Sequence, residues 1–350
     1  MKTLSAPLSI CLGITNKCNL NCRHCLASST RDNRDLTTEE LLGIIKQIIE
    51  LKIFNVALFG GEPLLREDFF IIVEALNKPW ISLSLNTNGT LITKELVKKL
   101  ANSPIKTYTV SLDGASSKVQ DPFRGEGSFK KNIEGIKNLI EQRCSVLIST
   151  TVTRYNYRDV ENIVLLGKNI GANRVRFNEV MYIGNAACYH KSLIMTPKEK
   201  FELLDRLRDL KSRFSNFITG SLVQVLDIMD EIEQNKHNLD FPLNIPSCGA
   251  ATTKCAIRPD GLVVPCENLW DIIAGDLRNA SLYDIWHNSS VMKEFRQPLE
   301  IEKEEIPECN KCRYLRLCYK GHRCIPYYLP GNKFERKELY CWQEDVVRTN

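Results

Sequence analysis

At 350 residues, with 43% hydrophobic and 25% charged side chains, the chain has the composition of an ordinary globular protein and room for two domains. Its formal charge of +5, from 47 Lys and Arg against 42 Asp and Glu, is mild and dispersed, without the aromatic-interleaved basic stripe of a nucleic-acid binder. No apolar run reaches membrane-spanning length, and Met1–Thr15, interrupted by Pro7, reads as a first strand rather than a signal peptide, so a cytoplasmic protein without nucleic-acid or membrane partners is expected.

In chain order, short apolar or β-branched runs predict strands over 8–14, 54–59, 81–86, 105–112, 145–153 and 173–178. Helices are predicted over 38–51, 67–77, 94–101, 129–142, 157–170 and 197–213. Thr37 with Glu40 forms a capping box, Ser128 is placed to cap the fourth helix, and Thr196-Pro197 sets a cap before a proline at the first helical position. Leu41, Leu42, Ile45, Ile48 and Ile49 make one stripe on the first helix. Six strand–helix units imply a parallel sheet with right-handed crossovers, too few to close an eight-stranded barrel. The expected class is α/β: a partial, TIM-like (β/α)6 barrel over 1–213, a helical bridge over 214–244, and a small cysteine-rich, cluster-binding domain over 245–350.

Fourteen cysteines are unevenly spread. Cys18, Cys22 and Cys25 form C-x3-C-x2-C just after the first strand, eight more lie between 248 and 341, and Cys11, Cys144 and Cys188 are scattered and expected to pack as small apolar residues. Such clustering in a chain of this size argues for metal in a reducing compartment rather than for disulfides. Three thiolates on one short loop can hold three corners of an iron–sulfur cube and leave the fourth iron open, which suits a catalyst better than an electron wire. Zinc is the rival, but it wants four closed ligands, and His24 is wedged awkwardly between Cys22 and Cys25.

Three further strand ends carry turn-forming or ligand-facing motifs. These are Gly60-Gly61-Glu62-Pro63, Asn86-Thr87-Asn88-Gly89 and Ser111-Leu112-Asp113-Gly114, with Phe123-Arg124-Gly125 following the last. Glycines there let backbone approach a ligand closely, and Glu62 offers a charged acceptor to an ammonium group. In the tail, twelve residues separate Cys248 from Gly261 and four separate Gly261 from Cys266; Cys309-x2-Cys312-x5-Cys318, Cys324 and Cys341 follow.

Together these features resemble the radical S-adenosylmethionine (SAM) superfamily, and the tail resembles its SPASM branch, which carries two auxiliary clusters. The resemblance implies a [4Fe-4S] cluster on Cys18, Cys22 and Cys25, and SAM bound through Gly60, Gly61, Glu62, Pro63, Asn86, Asn88, Ser111, Asp113 and Arg124, the arginine pairing with the SAM carboxylate. It assigns Cys248, Cys255, Cys266 and Cys324 to one auxiliary [4Fe-4S] cluster and Cys309, Cys312, Cys318 and Cys341 to the other. The pattern departs at Cys324, which five residues separate from Cys318 where three are usual, and this leaves His322 as an alternative ligand. Two zinc knuckles remain the other reading of the tail.

The implied chemistry is reductive cleavage of SAM to a 5′-deoxyadenosyl radical that abstracts hydrogen. The resemblance favours a ribosomally made peptide or protein substrate, matured with the help of a separate leader-binding protein and an external reductant such as flavodoxin or ferredoxin. Modification of tetrapyrrole side chains is the alternative, and a non-enzymatic electron carrier or metal-stapled scaffold the third. Glu267, directly after Cys266, matches the position of a catalytic base in sulfatase-maturing relatives.

Overall fold

A computed structural model describes residues 3–30, 34–181, 183–234 and 248–296. Six strands, β1 (Ser9–Thr15), β2 (Asn55–Gly60), β3 (Ser82–Thr87), β4 (Ile105–Ser111), β5 (Val146–Val152) and β6 (Arg174–Glu179), lie side by side in chain order, all parallel. Helices α1 (Thr38–Glu50), α2 (Phe69–Ala75), α3 (Lys94–Ala101), α4 (Ser117–Arg124), α5 (Ser128–Glu141) and α6 (Val160–Ile170) connect them. Then come α7 (Asn185–Leu193), α8 (Pro197–Phe214), a two-residue β7 (Ile218–Thr219) beside β6, and α9 (Ser221–Gln234). The tail adds β8 (Lys254–Ile257), β9 (Leu262–Val264), β10 (Gly275–Asp276), α10 (Leu282–Asn288) and α11 (Ser290–Arg296). β8 runs parallel against the free edge of β1, so the cysteine-rich segment extends the barrel's own sheet, which ends at β10 on one side and β7 on the other.

Strand periodicity divides this sheet into unlike faces. Ile10, Leu12, Val56, Leu58, Leu83, Leu85, Tyr108, Val110, Ile148, Val175 and Phe177 are buried in the main apolar core, with Leu41, Ile44, Ile45 and Ile48 of α1 among the helical residues packed there. Each such side chain contributes roughly 1.5–3 kcal/mol by leaving water. The alternate residues on the other face are mostly small or polar: Cys11, Ala57, Ser84, Asn86, Ser111, Ser149, Thr151, Arg176 and Asn178, all half-buried, with Phe59 and Leu147 the large apolar exceptions. A closed barrel fills its interior with layers of bulky branched side chains. This inner face carries few of them.

The caps follow the sequence at two of three helices. Thr37 with Glu40, and Thr196 with Glu199 ahead of Pro197, form capping boxes. Ser128 is instead the first residue of α5; Gly127, at φ +72°, takes the cap position. The orphan donors there are satisfied from α4, where Asp121 accepts from Gly127 N (3.0 Å), Ser128 Oγ (3.1 Å) and Phe129 N (2.9 Å). Among the described residues no helix is long and apolar enough to cross a membrane.

Candidate active site

The loop that leaves β1 carries Cys18, Cys22 and Cys25, with Cys22 buried and the other two half-buried. It is held on several sides. From the end of β2, Gly61 N donates to Thr15 O (2.7 Å) and Glu62 N to Lys17 O (2.8 Å). A side chain at Gly61 would collide with the Lys17 carbonyl, so only glycine permits this approach, and Gly60 sits at φ +134° beside it. From the end of β3, Asn88 Nδ2 donates to Asn19 Oδ1 (2.8 Å), and Asn19 Nδ2 donates to Thr90 Oγ1 (2.9 Å). Asp35 accepts from Thr15 Oγ1 (2.6 Å) and Asn16 N (2.8 Å).

Asp113, just past β4, anchors a buried charged group. Its Oδ2 accepts from Arg124 Nε (2.6 Å) and lies 3.1 Å from His24 Nε2, while Oδ1 accepts from Thr151 N (2.9 Å). Burial alone would raise the Asp113 carboxyl, but Arg124 and His24 outweigh it and hold the group well below the usual range. Arg124 also reaches Cys22 Sγ (3.9 Å) and lies 3.4 Å from His24 Nε2. The helix α4 and the cluster loop therefore meet in one ionic knot. Burial pushes the Cys22 thiol up to about 12; Arg124 pulls the other way, and the charges of Cys25 and Cys18 add to the rise. His24 stacks edge-on to Phe123 with ring centroids 5.9 Å apart, and its Nδ1 is buried without a hydrogen-bond partner. Among the described residues no three or more His, Cys, Asp or Glu side chains gather closely enough for a single metal ion.

Glu62 is fully buried. Its carboxylate accepts from Thr87 Oγ1 (2.7 Å), Asn88 N (2.7 Å) and Leu64 N (3.3 Å), and Pro63 starts the short 3-10 turn that it caps. Burial pushes its carboxyl up to about 7 in spite of these three donors. In this arrangement Glu62 ties the end of β2 to the end of β3. Asn86 and Ser111 lie on the inner face of the sheet; Ser111 is in register with Ser149 of β5, and Ser149 with Arg176 of β6.

In the tail, the loop of Cys248 meets that of Cys266 through the hydrogen bond from Ala251 N to Pro265 O (3.1 Å). Cys266 Sγ donates to Glu267 Oε2 (3.1 Å), whose other oxygen pairs with Lys254 Nζ (2.9 Å). Burial would raise the Glu267 carboxyl, but Lys254 wins and lowers it to about 2. Cys255 lies mid-strand in β8, in register with Ile10 and wholly buried, in the same apolar cluster as Cys266, against which Cys248 packs. Cys309, Cys312, Cys318, His322, Cys324 and Cys341 lie outside the described residues.

Sequence reasoning missed Asn19, Asp35, Lys254 and, above all, Asn185. An asparagine after a glycine at a helix start is an ordinary turn signal, and only the fold places it on the cysteine loop.

Residues 12–167 match the Radical SAM superfamily and residues 248–313 the iron-sulfur cluster-binding domain SPASM. The chain is 30% identical to mycofactocin maturase MftC of Mycolicibacterium smegmatis, over 93% of this chain and 80% of that protein. It is 28% identical to the AdoMet-dependent heme synthase of Methanosarcina barkeri, over 96% of this chain and 97% of that one. Its fold matches that of anSMEcpe with bound AdoMet at a TM-score of 0.73 and 19% identity, covering 97% of this chain and 98% of that chain.

Proposed function

The chain belongs to the radical SAM superfamily, with the SPASM extension, and from that premise we propose that it modifies a ribosomally made peptide by abstracting hydrogen from it. The residues suit the cofactors that the family implies. Cys18, Cys22 and Cys25 offer three thiolates on one loop, beside the Arg124 guanidinium that would offset a cluster's negative charge. Gly60 and Gly61 bring backbone close to the same loop, as binding of a small polar ligand needs. When bound, cluster and SAM supply a carbon-centred radical that takes hydrogen from an unactivated carbon.

The chain's own residues do the rest. Asp113 holds Arg124 and His24 in place, and Arg124 has the charge to receive the SAM carboxylate. Asn86 and Ser111 lie on the inner face of the sheet, where the nucleotide would bind, while Asn88 and Glu62 tie the strand ends beside it. Glu267, paired with Lys254, would be the carboxylate that accepts a proton from oxidised substrate. In the tail, Cys248, Cys255 and Cys266 would join Cys309, Cys312, Cys318, Cys324 and Cys341 in holding auxiliary clusters. A separate leader-binding protein and a flavodoxin or ferredoxin complete the system, in the cytoplasm.

The observation that carries the peptide reading is the inner face of the sheet. Ser84, Asn86, Ser149, Thr151 and Asn178, beside Phe59, give it donors and acceptors of the kind a peptide backbone engages, whereas a tetrapyrrole wants flat apolar walls. The similarity to mycofactocin maturase points the same way. The similarity to a heme synthase keeps tetrapyrrole modification as the second reading. Anaerobically reconstituted enzyme with SAM and dithionite, offered candidate precursor peptides, should yield a mass change in a peptide. A porphyrin titration that perturbs the visible spectrum, with no peptide altered, would overturn the peptide reading.

A further inference from the structure

The end of β6 is joined to the cysteine loop by one residue. Asn185 opens α7, and its backbone N–H donates to Cys25 O (3.0 Å) and Ser28 Oγ (2.6 Å). Its side-chain amide donates to Cys22 O (2.9 Å) and Asn21 Oδ1 (2.9 Å). Just before it, Gly184, at φ +57°, lies so close to the carbonyls of Cys25 and Leu26 that any side chain would strike them. The far side of this segment is packed too: Ala186 and Leu193 share a buried cluster with Phe123 and Val180, and Phe123 meets the His24 ring. The carbonyls of two of the three ligand cysteines are thus held by a residue 163 positions away from Cys22, on the element that follows β6.

We propose that Asn185 is a positioning residue for the catalytic cluster: it fixes the Cys22–Cys25 turn and with it the readiness of the loaded cluster to engage SAM. Losing the side-chain pair removes two of the four hydrogen bonds by which Asn185 holds the turn. The substitutions separate this role from simple packing. Asp nearly matches Asn in shape but sets a carboxylate oxygen against the Cys22 carbonyl or the Asn21 side-chain oxygen. Ala removes both donors and leaves room for water. A packing role makes Asp the milder change; a donor role makes it the harsher one.

The test uses the full chain, anaerobically reconstituted, as Asn185→Ala and Asn185→Asp. Iron and sulfide are counted, and the EPR spectrum of the dithionite-reduced protein is followed as SAM is titrated; no substrate is needed, so the result is independent of the peptide reading. SAM half-saturation is expected to rise roughly ten-fold in Asn185→Ala and further in Asn185→Asp, with an altered line shape and near-native iron content. An Asn185→Asp protein that titrates like the native one overturns the proposal. So does a loss of iron in both variants when the remaining clusters respond normally to SAM. Should neither variant fold, Asn21→Ala, which removes an acceptor of the Asn185 amide, set against Asn21→Asp, which keeps one, decides: a shifted titration in Asn21→Ala alone supports the role, and equal titrations overturn it.

Discussion

Replacing Asp113 with Asn tests the ionic knot directly. The side chains of Asp113 and Arg124 are 1% and 8% exposed, and three donors converge on the carboxylate: Arg124 Nε, His24 Nε2 and Thr151 N. Asn keeps the shape but has one acceptor oxygen. Whichever way its amide turns, an NH2 faces a donor, and the guanidinium is left buried without a counter-charge. Breaking a buried pair in this way costs about 3–5 kcal/mol. Guanidinium chloride unfolding of the cluster-free protein should show that loss. In the reconstituted protein the cost should shrink, because the Cys22 thiolate, 3.9 Å from Arg124, supplies part of the missing charge. The double variant Asp113→Asn with Arg124→Gln should recover most of the stability but not SAM cleavage. A cost under about 1 kcal/mol in the cluster-free protein would refute the reasoning, since it would mean that Arg124 is effectively solvated.

The remaining predictions concern the elements that hold the loop and the tail. Glu62 has an ordinary carboxyl value of 4.5 and is raised by burial to about 7, so the folded state holds its proton where the unfolded state releases it. Its contribution is full below about 4.5 and is lost as pH rises through about 7, a change of about 3 kcal/mol. Denaturation of Glu62→Gln against the native protein at pH 5 and pH 8 should show the cost of the substitution falling with pH; a cost that grows would mean that the three donors outweigh burial. Gly61→Ala should displace the cysteine loop and cut iron and sulfide at the catalytic cluster, read by chemical analysis and EPR. Cys255→Ala and Cys266→Ala should each lower iron per chain; iron unchanged in Cys255→Ala alone would make Cys255 a core side chain and remove it from the ligand set.

Much of the barrel was legible because strand and helix periods are local. The alternation of Ile10, Leu12 and Ile14 with smaller residues marks both a strand and its buried face. The site motifs were legible for a related reason: each sits where an apolar run stops. What escaped depends on tertiary placement. The pairing of β8 with β1 joins residues far apart in sequence, and only the fold sets Cys255 in register with Ile10. Helix α4 was hidden by Pro122, which reads as a breaker, and by the neighbouring glycines. Glu62 reads as a ligand acceptor in the sequence; only the fold adds that its oxygens accept from Thr87, Asn88 and Leu64.

The most direct test is product analysis on reconstituted, dithionite-reduced protein given SAM. The arrangement of Cys18, Cys22 and Cys25 beside Arg124 predicts release of methionine and 5′-deoxyadenosine in equal amounts, abolished when any one of the three cysteines becomes alanine. Protein that carries its full iron and sulfide yet never forms 5′-deoxyadenosine would contradict the account.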